Sequence, residues 1–363
     1  MSDEPATAAE TGEETPADVP GVFTLYGNEL KTLIATAIVL ALFPFVFARM
    51  PVVSDVLQGY QSLTTLILIW GIFALGFDLL LGYTGLLSFG HAAFWGSAAY
   101  GAGVFSQHVT GSPVLMVVAG TLVAVLLAWV LGFLSLRRGG IYFAILTLAF
   151  AQMLFYMASS PLAFITDGEN GFTGVETAEL FGMIPLEEDL PSILGELLGT
   201  TLYAFVAVLT LLCIALAYRI LQSPYGMVFR AIRENEQRAK FVGLNVWRYK
   251  LMSFVLSGLF AGIAGSLFTI HGSYVPLSSL YWTESGEVVI MTVLGGTGSL
   301  FGPIIGAGLY LYVENIVSGF DTVGPFWHLI LGLVFVITIW TFPRGIWGFF
   351  QDVRDYITGG DDQ

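Results

Sequence analysis

Charged residues are scarce in this sequence and make up only 11% of its 363 positions. A soluble globular chain usually carries about 25% charged residues. The mean hydropathy is +0.79, and long apolar runs recur along most of the chain. A bilayer core requires about 20 apolar residues per helical span, with the backbone hydrogen bonds made inside the helix. Because the runs lack the short alternating pattern of a membrane barrel, the sequence predicts an all-α polytopic membrane protein.

Cysteine and catalytic motifs are also nearly absent. The single cysteine, Cys213, lies inside an apolar run, so no disulfide framework forms within the chain, and no cluster of cysteine and histidine predicts a metal site. No Gly-Lys pair occurs, which excludes a Walker A phosphate-binding loop. A nucleophile elbow, an HExxH helix and a dinucleotide fingerprint are likewise missing, so we expect neither an enzyme nor a cofactor bound by this chain.

Basic residues are outnumbered, with 13 Lys and Arg against 27 Asp and Glu. Six of the acids lie in residues 1–20 without a basic residue, and we predict a disordered acidic tail over residues 1–28. This stretch lacks the basic start and apolar core of a cleavable signal, so we expect it to stay on the mature protein. Abundant acid with three lysines also suggests a halophilic organism, in which a charged surface preserves solubility.

The apolar runs predict about ten transmembrane helices, all within a membrane domain at residues 29–350. Lys and Arg prefer the cytoplasmic side of a cell membrane. Alternation of the spans then places the basic stretch 219–250, both termini and a tail at 351–363 on the cytoplasmic side. It places an acidic loop at 160–200, which has no Lys or Arg, outside the cell. The predicted spans are 32–48, 62–82, 92–110, 113–135, 141–159, 201–221, 250–270, 287–300, 302–319 and 326–342.

A cytoplasmic loop at residues 222–249 carries signals for two short helices. Ser223 and Pro224 predict the start of the first, with the serine hydroxyl as its cap. The segment 234–243 predicts the second, ended by Gly243. Short helices with exposed apolar residues suit docking into a groove of a soluble partner, although a solvated loop or a helix lying on the lipid surface has the same pattern.

Two glycine-rich breaks interrupt the apolar segments, at residues 82–90 and 295–303, and both contain Thr-Gly, then Leu, then Phe-Gly. Similar breaks in two halves of a membrane protein predict an internal repeat and a translocation route. Non-helical backbone at membrane depth is tolerated where protein or water shields it. Close packing of helices through small residues is the alternative. The candidate pathway residues are Asp78, Gly82, Thr84, Gly85, Ser88, Gly90, His91, Gly295, Gly296, Thr297 and Gly298.

Taken together, these motifs resemble the permease subunits of ABC importers for branched-chain amino acids, specifically the LivM-type member. The resemblance covers about residues 60–350, and relatives of this kind also import urea or short amides. It implies that this chain lies in the lipid bilayer as a heterodimer with a second related permease. It also implies two cytoplasmic ATPase subunits that use ATP, an extracellular substrate-binding protein, and no nucleic-acid partner. The matching stretches are 80–94, 138–150, 223–236 and 293–299.

The resemblance also implies that residues 236–243 form the helix that couples the permease to its ATPase. At position 78 an uncharged amide is commoner in the family, so Asp78 departs from the pattern. A different class, the ion-coupled secondary transporter, also uses broken helices but needs more buried charge than Asp78 supplies. A membrane enzyme is disfavoured because no polar catalytic cluster occurs. The candidate coupling residues are Arg230, Arg233, Glu234, Glu236, Ala239 and Gly243.

Overall fold

The computed structural model describes residues 27–49, 60–182, 198–319, 326–342 and 344–357, with scattered positions between 184 and 195. Over this part the chain is a helical bundle without extended strands. Its helices are α1 (Gly27–Pro44, followed by a π-helical turn at Phe45–Arg49), α2 (Gln61–Thr84), α3 (Ala92–His108), α4 (Pro113–Ser135), α5 (Ile141–Ser159), α6 (Ala163–Thr166), α7 (Thr201–Gln222), α8 (Pro224–Glu234), α9 (Glu236–Phe241), α10 (Val246–Gly272), α11 (Trp282–Gly295), α12 (Gly302–Ser318), α13 (Trp327–Thr341) and α14 (Gly345–Ile357).

Seven segments of the described chain are long and apolar enough to cross a membrane, and they coincide with seven of the predicted spans. The remaining predicted spans correspond to α3, α11 and α12, which have 17, 14 and 17 residues. The all-helical membrane architecture is therefore confirmed, while the count of ten spans and the internal repeat stay predictions. The seven segments are Leu30–Ala48, Gln61–Thr84, Pro113–Ser135, Ile141–Ser159, Thr201–Gln222, Val246–Gly272 and Trp327–Asp352.

The centre of the bundle is formed by α2 and α10. Helix α2 is buried along most of its length, and α10 packs against α2, α3 and α4. Large side chains such as Phe254 and Phe260 of α10 are fully buried there. By contrast, α4 exposes Leu122, Leu126 and Trp129 on its outer face. An exposed apolar face is what a helix presents to lipid, so α4 lies at the periphery.

The predicted boundaries of both glycine breaks need correction. Helix α2 continues through Gly82 and ends at Thr84, because Gly85 adopts a left-handed conformation with φ 76° and its N–H bonds to the carbonyl of Leu81. The predicted span 287–300 is wrong at both ends, since α11 begins at Trp282 and ends at Gly295. We refer to residues 85–91 as the first break and residues 296–301 as the second break.

The loop between α7 and α10 contains the two predicted helices, α8 and α9, with one difference. Ser223 precedes α8, but its hydroxyl donates to the carbonyl of Ile220 at 2.6 Å and does not cap the helix. Asn235 is a true cap, because its side chain accepts a hydrogen bond from the N–H of Arg238 at 2.9 Å. Gly243 follows α9 with a positive φ of 86°, as expected for a helix stop.

The predicted acidic tail at 1–28 lies outside the described residues except for its last two positions. At the other end of the chain, α14 extends to residue 357, so part of the predicted tail 351–363 is helical. The loop at 160–200 is partly ordered by α6, by a 3₁₀ turn at Gly168–Asn170 and by a bridge between Phe172 and Val275.

Candidate functional site

Helix α2 and the second break meet at one end of the bundle, and the buried carboxyl group of Asp78 joins them. Asp78 lies on α2 and is fully buried. Its two oxygens accept hydrogen bonds from the N–H of Gly298 at 2.9 and 3.1 Å. Gly298 has a positive φ of 80°, which glycine adopts without strain and which directs its N–H toward α2. The sequence singled out Asp78 and Gly298 as pathway residues, and the structure brings them into direct contact.

Gly82 lies between these two groups and leaves no room for a side chain. A Cβ atom added there would lie 2.1 Å from Asp78 Oδ1 and 2.4 Å from the nitrogen of Gly298. Real Cβ atoms do not approach other heavy atoms this closely, so the contact between α2 and the second break depends on glycine at this position. Glycine is therefore required at position 82 because α2 and the second break approach each other closely there, and not because the backbone must be flexible.

Arg233 connects the same junction to helix α8. Its Nη1 donates a hydrogen bond to the main-chain carbonyl of Gly82. Gly85, in the first break, lies directly beside the Arg233 side chain. A few atoms therefore connect helix α8 with the first break and the second break. We call the assembly of Asp78, Gly82, Arg233 and Gly298 the break junction.

Glu236 provides a second connection, between the helix pair α8–α9 and the bundle. Its carboxylate contacts Lys240 of α9 at 2.8 Å and Lys250 of α10 at 2.7 Å. Burial acts to raise the pKa of Glu236, but the hydrogen bonds from both lysines outweigh it and hold the pKa below its usual value. Ala239 is buried in a small apolar cluster with Ile232. These contacts fix α9 against both α8 and α10.

The far end of α9 presents an apolar surface to solvent. Phe241 is 88% exposed and Val242 is 72% exposed. Gly243, which follows them, has no heavy atom near the position of a missing Cβ. Of the other predicted coupling residues, Arg230 and Glu234 are exposed on α8, and Arg230 lies over the ring of Tyr83 at 5.6 Å.

Several predicted pathway residues are instead buried among packed helices. The Thr84 hydroxyl bonds to that of Ser253 on α10 at 2.7 Å, and Ser88 accepts from the N–H of Gly90. His91 Nε2 bonds to the Ser257 hydroxyl at 2.7 Å. The His91 ring is surrounded by aromatic side chains, those of Phe77, Phe94 and Phe254. Gly295 at the end of α11 and Gly296 in the second break are also buried, while Thr297 is exposed. The role of these residues in a pathway stays a prediction.

Three further carboxyl groups lie at the opposite end of α11 and α12, outside the predicted pathway and coupling sites. Glu284 and Glu287 lie about one turn apart near the start of α11, and Glu314 of α12 is close enough to interact electrostatically with both. All three are half-buried. Acidic residues within apolar helices were the available signal, because charged groups at such positions usually face a cavity or a partner.

The bundle, its broken helices and the attached helix pair define a polytopic membrane permease rather than a soluble protein. Residues 59–339 match the family described as branched-chain amino acid transport system / permease component, and the chain belongs to that family. No solved structure matches the chain.

Curated relatives support the same assignment. The high-affinity branched-chain amino acid transport system permease protein LivM of Escherichia coli is 29% identical over 327 residues, covering 86% of this chain and 74% of the relative. The probable permease LivM of Methanocaldococcus jannaschii is 23% identical and covers 78% of this chain and 93% of the relative. The probable LivH of the same organism is 28% identical over 158 residues, or 40% of this chain and 48% of the relative.

Proposed function

We propose that this chain is the permease subunit of an ABC importer and forms, with a second related permease, the membrane pathway for branched-chain or related amino acids. Two cytoplasmic ATPase subunits hydrolyse ATP, and an extracellular binding protein delivers the substrate. The chain binds no cofactor and lies in the cell membrane with both termini in the cytoplasm. The names of the LivM and LivH relatives support the substrate class and the pairing of two permeases.

The break junction is the observation that carries this proposal. An importer must transmit movement of its ATPase subunits to the membrane pathway, and a conformational change requires differential contacts in two states. Arg233 bonds to Gly82 of α2 and packs beside Gly85 of the first break. Asp78 links α2 to the second break, and Glu236 links α9 to α10. A displacement of the α8–α9 pair therefore reaches both breaks through direct contacts. In this mechanism the breaks shift relative to each other and open or close the route beside them.

The exposed apolar end of α9 is the proposed docking site for an ATPase subunit. Phe241 and Val242 project from a helix that is otherwise charged and hydrated. A short helix with exposed apolar side chains fits a hydrophobic groove on a partner. The Glu236 ion pairs hold α9 in place, so that the force acting on Phe241 moves α10 rather than bending the loop.

The second permease is proposed to cover the face of α11 and α12 that carries Glu284, Glu287 and Glu314. Charged groups on apolar helices avoid lipid and face protein or water. These groups are half-buried in the single chain, so a partner and a water-filled route between the two subunits complete their environment. The pathway then runs along this face toward the break junction.

Reconstitution of the importer tests the proposal. Proteoliposomes that contain both permeases and the ATPase subunits, supplied with the binding protein, should take up leucine only when ATP is present on the ATPase side. Arg233→Gln should lower uptake by about tenfold while membrane insertion is unchanged, because it removes a link of roughly 1.4 kcal/mol between α8 and the bundle. Glu236→Gln should lower uptake by up to about fivefold, because its partly exposed ion pairs contribute under about 1 kcal/mol. Arg138→Gln, in the turn after α4, is the matched control and should transport normally.

Three results would contradict parts of this scheme. Full ATP-dependent uptake by both variants would refute the coupling role of Arg233 and Glu236. Uptake driven by an ion gradient without ATP would identify an ion-coupled secondary transporter. Competition by urea or small amides, but not by leucine, would move the substrate class to those solutes. Separately, Gly85→Leu and Gly298→Leu should block transport, and normal flux in both variants would refute the pathway at the breaks.

A further inference from the structure

A basic cleft lies beside the break junction, between α8, the second break and α14. Its volume is about 630 Å³. Three arginines line it: Arg230 and Arg233 from α8, and Arg344 directly before α14. None of the residues that line it is acidic, and the other polar groups include the Thr297 hydroxyl and the phenol of Tyr218. The cleft is therefore a concentration of positive charge and hydrogen-bond donors.

The arginines are not neutralised by strong ion pairs within the described residues. Arg344 is exposed, and its Nη1 lies 3.6 Å from a carboxylate oxygen of Asp352, which is too long for a hydrogen bond. Arg233 donates to a main-chain carbonyl and interacts electrostatically with the buried carboxyl group of Asp78, and Arg230 faces the ring of Tyr83. Guanidinium groups bind phosphate oxygens in bidentate fashion, so such a cluster is suited to a phosphate-bearing anion.

The walls of the cleft also border lipid. Helix α1 contributes Thr32 to the cleft, while Ile34 of the same helix is 50% exposed. Arg344 directly precedes α14, and this helix exposes Phe349 and Phe350, at 44% and 54%. A helix with apolar side chains on one face and polar side chains on the other lies in the membrane interface. Apolar side chains of α1 and α14 therefore lie near the cleft, where the acyl chains of a bound lipid would pack.

We propose that this cleft binds a phosphate-bearing anion, most directly the headgroup of an anionic lipid, with Arg344 as the residue that closes the site. Helices α1 and α14 lie outside residues 59–339, the part of the chain that matches the family. The site therefore combines residues inside and outside the part of the chain that matches the family. Its occupant contacts Arg233, so binding stabilises the position of α8 relative to the second break. The proposal requires a membrane-embedded chain but does not depend on ATPase docking or on the transported solute.

Native mass spectrometry of the full chain, purified in neutral detergent without partner subunits, tests this proposal. Dioleoylphosphatidylglycerol, dioleoylphosphatidylcholine and inorganic phosphate are titrated separately. We expect phosphatidylglycerol to bind more tightly than phosphatidylcholine. Arg344→Gln should weaken the binding of phosphatidylglycerol by about fivefold, the value for one interfacial charge of roughly 1 kcal/mol. Arg138→Gln removes an arginine outside the cleft and should have no effect on this site.

A second control separates charge from folding of α14. Asp352→Asn abolishes the partner of Arg344 but keeps the guanidinium, so affinity for phosphatidylglycerol should be equal or higher. Saturable binding of inorganic phosphate that depends on Arg344, without preference for the anionic lipid, would support the site and assign it to a soluble phosphate. Equal binding of both lipids together with no phosphate binding, or equal losses in Arg344→Gln and Arg138→Gln, would overturn the proposal. Because no ATP or substrate is present, these outcomes are independent of a failed transport assay.

Discussion

The substitution Gly82→Ala is the most direct perturbation of the break junction. It adds one methyl group at the point where α2 contacts the second break. That methyl group would lie 2.1 Å from Asp78 Oδ1 and 2.4 Å from the nitrogen of Gly298. Neither neighbour is the end of a long flexible side chain, so α2 and the second break must separate. The bonds at 2.9 and 3.1 Å between Asp78 and Gly298 then break.

The magnitude follows from two costs. The loss of the hydrogen bond leaves the buried carboxyl group of Asp78 without its partner, which costs about 1–3 kcal/mol. Overpacking a filled site costs about 1–3 kcal/mol. Alanine favours a helix over glycine, which offsets these costs by about 1 kcal/mol. We therefore expect Gly82→Ala to destabilise the chain by about 1–5 kcal/mol.

The assay is equilibrium unfolding of the purified chain in mixed micelles, followed by circular dichroism and by tryptophan fluorescence. Gly139→Ala is the matched control, because a Cβ at residue 139 meets no heavy atom within 4 Å. The control should unfold within about 0.5 kcal/mol of the natural chain, the usual range for exposed substitutions. If Gly82→Ala also falls within that range, the close approach of α2 and the second break is not present in the folded protein, and the reasoning fails.

Three further predictions concern other contacts. The Glu236 ion pairs should stabilise the attachment of α9 above about pH 4.5, and this stabilisation should be lost as the pH falls through the lowered pKa of Glu236. The expected effect is under about 1 kcal/mol, and hydrogen exchange of the α9 amides would measure it. Ser257→Ala should destabilise the bundle by about 1–3 kcal/mol, because it leaves Nε2 of the buried His91 without its hydrogen-bond partner. A change below about 0.5 kcal/mol in thermal unfolding would contradict a stabilising role for this hydrogen bond. Gly345→Ala should release α14 from the second break, because Gly345 has a φ of 72° and an added Cβ would lie 2.4 Å from the Cα of Gly296. The chain before α14 should then be cleaved rapidly by a protease, and resistance equal to that of the natural chain would refute the contact.

The sequence was sufficient to predict the helices because apolar runs of this length have one stable arrangement in a bilayer. The spans 113–135 and 141–159 coincide with α4 and α5, where the flanking Ser112-Pro113 and Gly139-Gly140 pairs interrupt the helix. The two short helices of the loop were predictable from their start and stop signals. The resemblance of this loop to the permease family then indicated a role in coupling to an ATPase, which the residue patterns alone left open.

The breaks were harder to predict because glycine is compatible with several backbone conformations. Gly82 remains helical whereas Gly85 ends the helix, and only the packing against the second break distinguishes the two positions. The contact between Asp78 and Gly298 joins residues that are far apart in the sequence, and no local periodicity reports it. For the same reason the sequence could not predict the cleft of Arg230, Arg233 and Arg344, which come from separate parts of the chain and line one cavity only in the folded structure.

The break junction has a consequence for how this kind of protein diverges. Asp78 and Arg233 both contact main-chain atoms, the N–H of Gly298 and the carbonyl of Gly82. Main-chain atoms are the same in every residue, so neighbouring side chains such as exposed Thr297 are free to change without disturbing the connection. Selection for a new solute can then act on the surface of the breaks while the mechanical linkage is inherited intact. Duplicated copies of such a chain would acquire different cargoes sooner than different drive mechanisms.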